Sequence, residues 1–127
     1  MWVAGGQSTP GMKSMAEFGG QSTLNNEMRA QRSNVLDTLS FTVIYAGTGT
    51  RKGSLDVDGS HSLVSLVSMV APSPDWFVGV HDLDLCNGAT WTQSMTVDLF
   101  PYDAGTDSGL KFASANSATN PRSRSIV

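Results

Sequence analysis

A chain of 127 residues suffices for one small domain with a modest core. With 39% hydrophobic and only 15% charged residues, it is not a disordered polyampholyte. A formal charge of -3 leaves no basic face to follow a phosphate backbone, so nucleic acid is excluded as a partner.

Residues 1–11 are rich in Gly, Ser and Pro after Trp2 and read as an irregular entry. Met12–Phe18 (MKSMAEF) predicts a helical turn or two, stopped by Gly19-Gly20. Thr23–Leu36 predicts the main helix. Thr23 is its cap, and Leu24, Met28, Val35 and Leu39 approximate one apolar face. The period then changes. Phe41, Val43 and Tyr45 alternate with their neighbours, Gly47–Gly53 supplies a polar loop, and Leu55–Asp58 predicts a short strand. His61–Val70 and Trp76–Leu85 predict buried strands. Asn87-Gly88 is a strong hairpin signal. The clearest strand follows, with Trp91, Gln93, Met95, Val97 and Leu99 on one side and Thr92, Ser94, Thr96 and Asp98 on the other. After the loop PYDAGTDSG comes a short strand, Leu110–Phe112. From Ser114 the chain is rich in Ser and Asn, and it ends basic with Arg122 and Arg124. The fold class is therefore mainly β: an antiparallel β-sandwich with one or two short helices in the N-terminal third. The visible strands are few for a complete sandwich.

Charge is unevenly placed. From Asp56 to Gly109 there are eight Asp and no Lys, Arg or Glu; every Lys and Arg lies outside that window. Uncompensated carboxylates repel one another unless they are dispersed, solvated or neutralised by a cation. Taken singly, each Asp reads as a turn or strand-end residue. As a set they point to at least one bound cation. Three loops carry the signal. The first, SLDVDGS, holds Asp56 and Asp58. The second, Ala71–Asp75 (APSPD), has two prolines that withhold donors and leave carbonyls free to face a cation. The third, Tyr102–Gly109 (YDAGTDSG), holds Asp103 and Asp107. Calcium takes about six to eight such oxygens. One strand leaves the second loop for the Asn87 hairpin and the next returns to the third loop. Asp75 and Asp103 therefore fall at the same end of one hairpin. DAGTDSG lacks the closing Glu and the flanking helices of a helix–loop–helix calcium site, so that motif is rejected.

Catalytic patterns are missing. There is no G-x-S-x-G, P-loop or H-E-x-x-H, and His61, His81 and Cys86 stand in no recognisable catalytic setting. Paired Asp residues alone do not make a glycosidase. His81, beside Asp82, reads as a surface histidine, and Trp76 and Trp91 read as core residues before glycan platforms. Cys86 is a small buried hydrophobe in a reducing compartment and asks for a partner in an oxidising one. No secretory signal is read in the chain, and no apolar run is long enough to span a membrane.

APSPDWFVGVHDLDLCNGATW, followed by DLFPYDAGTDSG, resembles the spondin domain of the F-spondin/mindin family. The likeness is dense from His61 to Phe112. It extends more loosely upstream through Met1-Trp2, MKSMAEFGG and EMRAQ, and downstream into SANSATNP. The resemblance implies a secreted, non-catalytic extracellular-matrix and cell-adhesion module, built as an antiparallel sandwich with bound calcium. It implies Asp56, Asp75 and Asp103 as carboxylate ligands, with a backbone carbonyl near Ala71; Asp107, in the third acidic loop, reads as a helper. The family carries Glu where this chain has Asp56, so the side chain is one methylene shorter, which lengthens that contact or admits a water. An integrin-like receptor or a matrix protein is the implied partner, with Asp56 and Asp107 as contacts. Calcium-dependent recognition of glycans or microbial surfaces is the alternative. A structural subunit of a larger extracellular assembly is a third.

The resemblance also implies leading strands before Trp2 and a closing strand after Val127. Residues 1–127 are thus expected to form a single but incomplete spondin-type domain. Its exposed strand edges would then associate with other chains. The family's partner for Cys86 lies outside this segment, and loss of such a bridge costs about 2–5 kcal/mol.

Overall fold

The computed structural model describes residues 2–121. Met1 and the basic residues Arg122 and Arg124 lie outside the described residues.

Thr9 starts the first helix. Its Oγ1 accepts the Met12 amide at 3.1 Å, and Pro10 stands in the first turn, where a missing N–H costs nothing. Helix α1 spans Pro10–Phe18, slightly longer than the predicted turn, because this cap lies upstream of Met12. It ends where the Gly19 amide donates to the Met15 carbonyl at 2.9 Å. Helix α2 spans Ser22–Ala30 and stops well short of the predicted Leu36. The reason is local. After Leu24 and Met28, the next positions on that face are Gln31 and Arg32, which have nothing apolar to bury. The two helices are tied by Glu27 of α2. Its Oε1 accepts the Gly11 amide at 2.7 Å and its Oε2 accepts the Thr9 hydroxyl at 2.6 Å. A carboxylate at the N-terminus of α1 satisfies orphan donors and complements the helix dipole.

Strands β1 (Leu63–Met69), β2 (Trp76–Asp84) and β5 (Phe100–Asp103) form an antiparallel sheet in the order β1-β2-β5. A small ribbon pairs β3 (Cys86–Asn87) with β4 (Thr90–Trp91) around the predicted Asn87-Gly88 turn. Within the β1–β2 pair, Val64 faces Leu83 and Leu66 faces Val80, so His81 and Asp82 together oppose Ser65 in a bulge. Asp82 takes the left-handed backbone there, at φ 53°, and its amide donates to Ser65 Oγ at 3.0 Å. That conformation costs most L-residues roughly 1–2 kcal/mol and Asp less.

Met12, Met15, Ala16, Leu24, Phe77 and Ala104 form the buried core, with Trp2, Met28, Val67, Met69 and Tyr102 packed against it. Helix α1 thus covers one face of the sheet. Trp2 lies beside it, its ring centroid 5.1 Å from Phe77 and 4.6 Å from Tyr102, both edge-on. Gly79 makes this approach possible. A Cβ there would meet the Leu66 carbonyl oxygen at 2.6 Å and Trp2 Cζ2 at 3.2 Å.

The class is as expected in kind: antiparallel sheets, with two short helices in the N-terminal third. Among the described residues the strands form one three-stranded sheet, against which helix α1 and Trp2 pack, and one two-stranded ribbon. Four predicted strands are corrected. Phe41–Tyr45, Leu55–Asp58, Thr92–Leu99 and Leu110–Phe112 adopt no strand among the described residues. Alternation states which face a strand would bury, but a strand also needs a ladder partner, and these segments have none. Their apolar residues stay open to solvent; Val43, Tyr45, Met95, Val97 and Leu99 are all exposed.

Candidate metal centre

The chain turns from β1 into β2 through Val70–Asp75. The Ser73 amide donates to the Val70 carbonyl at 3.0 Å, and the Trp76 amide donates to Ser73 Oγ at 3.1 Å. This tight turn delivers Asp75 to the end of the sheet and buries it fully, at 0% exposure. Strand β5 runs antiparallel to β2 with Asp103 opposite Trp76, and the Ala104 amide donates to the Asp75 carbonyl at 3.2 Å. Asp75 and Asp103 are therefore neighbours across two strand ends.

The loop after β5 folds back over Asp75. Asp75 Oδ2 accepts the Thr106 amide at 2.8 Å and the Asp107 amide at 3.0 Å, with the Thr106 hydroxyl at 3.5 Å. Asp103 Oδ1 accepts the Gly105 amide at 2.7 Å. Asp107 Oδ1 accepts the Gly109 amide at 2.7 Å, and its Oδ2 accepts the Ser117 amide at 2.5 Å. The Ser8 hydroxyl donates to the Ala104 carbonyl at 2.6 Å, which fixes the loop to the segment before α1.

One atom stands apart. Asp75 Oδ1 is buried and has no hydrogen-bond partner among the described residues. An unpartnered oxygen on a buried carboxylate is costly unless a proton or a cation reaches it. The electrostatics agree. Burial pushes the Asp75 carboxyl above its ordinary value of 3.8; the Thr106 and Asp107 amides pull it back, and the charges of Asp103 and Asp107 push it further up. The donors at this end are all oxygens, which suits a hard cation. Ala71 is exposed on the same turn as Asp75, so its carbonyl lies at the same end of the sheet.

Asp56 is not part of this arrangement. Its amide donates to Asp37 Oδ2 at 3.0 Å, and it lines a cleft with Ser60, His61 and Leu63. Leu63 pairs with Asp84 at the far end of the hairpin, whereas Met69 pairs with Phe77 beside Asp75. The intervening strand separates the two ends by roughly 20 Å at its ordinary rise per residue. The expected set of three carboxylates is thus reduced to Asp75 and Asp103, with Asp107 close by. No three side chains of Asp, Glu, His or Cys close a metal cage among the described residues. Carbonyls and water would have to complete the shell.

Other expected residues fall elsewhere. Asp58 Oδ1 accepts the Ser60 and His61 amides and faces His61 Nδ1 at 2.9 Å. Asp84 Oδ1 accepts the Ser62 hydroxyl and the Cys86 amide. Cys86 is a free thiol whose Sγ donates to the Gly88 carbonyl at 3.2 Å. Trp76 packs on Phe112 with ring centroids 5.9 Å apart, but Trp91 is 42% exposed, against its expected core role. Trp91 lies on a two-residue strand both of whose residues are exposed. His81 stands 4.8 Å from the Trp2 ring, packed more closely than a plain surface residue. Sequence reasoning missed Thr106, Ser117 and Ser8, whose donors organise the loop. Their contacts span long stretches of chain that no local motif records.

The Spondin_N family profile matches residues 1–126. Spondin-2 of Homo sapiens is 43% identical over 125 residues, covering 96% of this chain and 38% of that protein. Spondin-1 of Rattus norvegicus is 34% identical over 131 residues, covering 98% of this chain and 16% of that protein. Spondin-1 of Xenopus laevis is 34% identical over 126 residues. The chain thus spans well under half the length of the relatives it matches. No helix among the described residues is long and apolar enough to cross a membrane.

Proposed function

The chain belongs to the Spondin_N family, and on that basis we propose that it is a secreted, non-catalytic module of the extracellular matrix that serves cell adhesion, its Asp75 end braced by calcium. The observation that carries the calcium is Asp75 Oδ1, buried and unpartnered among the described residues, beside two further carboxylates. Asp75 and Asp103 would hold the ion, with the Ala71 carbonyl and, through water, Asp107. Calcium supplies positive charge to a group of acids with no base among them. The chain's own contribution is the tight turn and the Thr106 and Asp107 amides, which fix the orientation of the Asp75 carboxylate. Affinity in the range of about 10⁻⁴–10⁻³ M suits an extracellular structural ion.

The partners are those the family suggests. An integrin-like receptor or a matrix protein would meet the acidic loops. Asp56 suits a receptor contact because its carboxylate is exposed and has no partner among the described residues. Isothermal titration of calcium into the apo chain tests the ion. One site of sub-millimolar strength, absent in Asp75→Asn, is expected; no heat of binding would contradict the proposal. Cell attachment to the immobilised chain, compared between wild type and Asp56→Asn, tests the receptor contact.

The exposure of Trp91 favours a second reading, calcium-dependent recognition of glycans or microbial surfaces. An indole face open to solvent can stack on a sugar ring. A glycan array probed with wild type and Trp91→Ala, with and without calcium, separates the two readings.

A further inference from the structure

A cleft of about 830 Å³ opens between α2 and the Leu63 end of β1, at the end of the sheet remote from Asp75. Met28, Val35, Leu55 and Leu63 form apolar parts of its wall, and Leu55 and Leu63 are exposed there. Its acidic lining residues are Glu27, Asp37, Asp56 and Asp82; the titratable base His61 also lines it but is already paired with Asp58, and no Lys or Arg is among them.

These carboxylates differ in how they are used. Both Glu27 oxygens are occupied by the Thr9 hydroxyl and the Gly11 amide. Asp37 accepts the Thr38 and Asp56 amides. The Asp56 carboxylate has no hydrogen-bond or ion-pair partner among the described residues. Asp82 is displayed by the bulge in β2, and among the described residues its carboxylate meets only His81 Nδ1, at 3.3 Å. Two carboxylates therefore stand without a strong partner beside an apolar wall.

We infer that this cleft is a docking site for a basic amphipathic segment of a partner protein. Its Lys or Arg side chains pair with Asp56 and Asp82, and its aliphatic side chains seat on Leu55 and Leu63. Charge complementarity selects this occupant. An acidic or purely apolar segment would strip water from two carboxylates and return nothing. A second copy of this chain brings a net charge of -3 to an already acidic cleft. A bare metal ion would leave the apolar wall uncovered.

The test uses the full chain in EDTA, so that any metal-bridged contact is silent. The probe is a labelled peptide of about twelve residues in which Lys alternates with Leu, followed by fluorescence anisotropy. Saturable one-to-one binding is expected. It should weaken when salt is raised to about 0.5 M, as partly exposed pairs are screened. The Asp56→Asn/Asp82→Asn variant should bind about tenfold more weakly, as expected for two such ion pairs. Asn tolerates the left-handed backbone at position 82. Asp56→Asn alone, at a side chain with no internal contact, should show a smaller loss with unchanged circular dichroism. The proposal is overturned by no binding, by equal binding to the variants, or by equal binding of a peptide with Glu in place of Lys.

Discussion

Asp75 Oδ2 accepts the Thr106 amide at 2.8 Å across 31 positions of sequence. That bond holds one carboxylate oxygen in place, and the other is buried without a partner among the described residues. The proposed calcium site follows from this asymmetry. The same geometry gives Asp75 a raised pKa, and the sign of the consequence is definite. A raised acid binds its proton more tightly when folded. Without calcium, stability therefore falls as pH rises from the ordinary value of 3.8 through the raised folded value. The difference in melting temperature between wild type and Asp75→Asn in chelator should widen in favour of the variant over that window. Calcium should remove the trend.

His61 and Asp58 form a pair whose titration is directly measurable. The Asp58 hydrogen bond raises the His61 pKa above 6.5, and the His61 hydrogen bond, then the Ser60 amide, lowers that of Asp58 below 3.8. What the pair contributes is lost on the alkaline side as pH rises through the raised His61 value. On the acid side it is lost as pH falls through the depressed Asp58 value. NMR titration of the His61 ring should give a midpoint above 6.5, returning toward 6.5 in Asp58→Asn. An unchanged midpoint in the variant would remove the pairing.

Gly79→Ala should destabilise the fold by about 1–3 kcal/mol, since the new methyl group meets the Leu66 carbonyl oxygen, a backbone atom that cannot swing away. Denaturant unfolding measures it. The loss should be accompanied by changed Trp2 fluorescence, because Trp2 covers the same spot.

Thr9→Ala removes the cap of α1 and the hydroxyl that donates to Glu27. A loss of about 1 kcal/mol is expected from the cap. Glu27→Gln should cost less in combination with Thr9→Ala than alone, because the two side chains share one hydrogen-bond network. Additive losses in the double-mutant cycle would contradict that network.

The Met12–Phe18 part of helix α1 was legible from its Gly19-Gly20 stop, though its Thr9 cap was not; β1 and β2 were legible as the apolar runs His61–Val70 and Trp76–Leu85, though their pairing was not. The juxtaposition of Asp75 with Asp103 was expected from a strand out and a strand back; it is reached instead through β5, Phe100–Asp103, which pairs directly with β2, since Thr92–Leu99 forms no strand. The same rule separates Asp56 from them, since the strand His61–Val70 stands between its loop and Ala71. The family's ligand set hid that consequence. Thr92–Leu99 alternates more cleanly than any other segment, yet forms no strand. Periodicity cannot report whether a partner is present. Trp2 sits in a Gly-rich stretch with no period at all, and its place against Phe77 and Tyr102 comes from tertiary packing alone. The left-handed Asp82 depends on a bulge, which pairing register creates and composition does not reveal.

The proposed calcium would bind Asp75 Oδ1, the buried oxygen without a partner among the described residues. The most direct measurement is thermal unfolding of wild type and Asp75→Asn, each in calcium and in chelator near neutral pH. Wild type should melt several degrees higher in calcium, as expected for about 1–2 kcal/mol of ligand stabilisation. Asp75→Asn should show no calcium increment and should melt no lower than wild type in chelator. An equal calcium increment in both proteins, or none in wild type, would contradict the account.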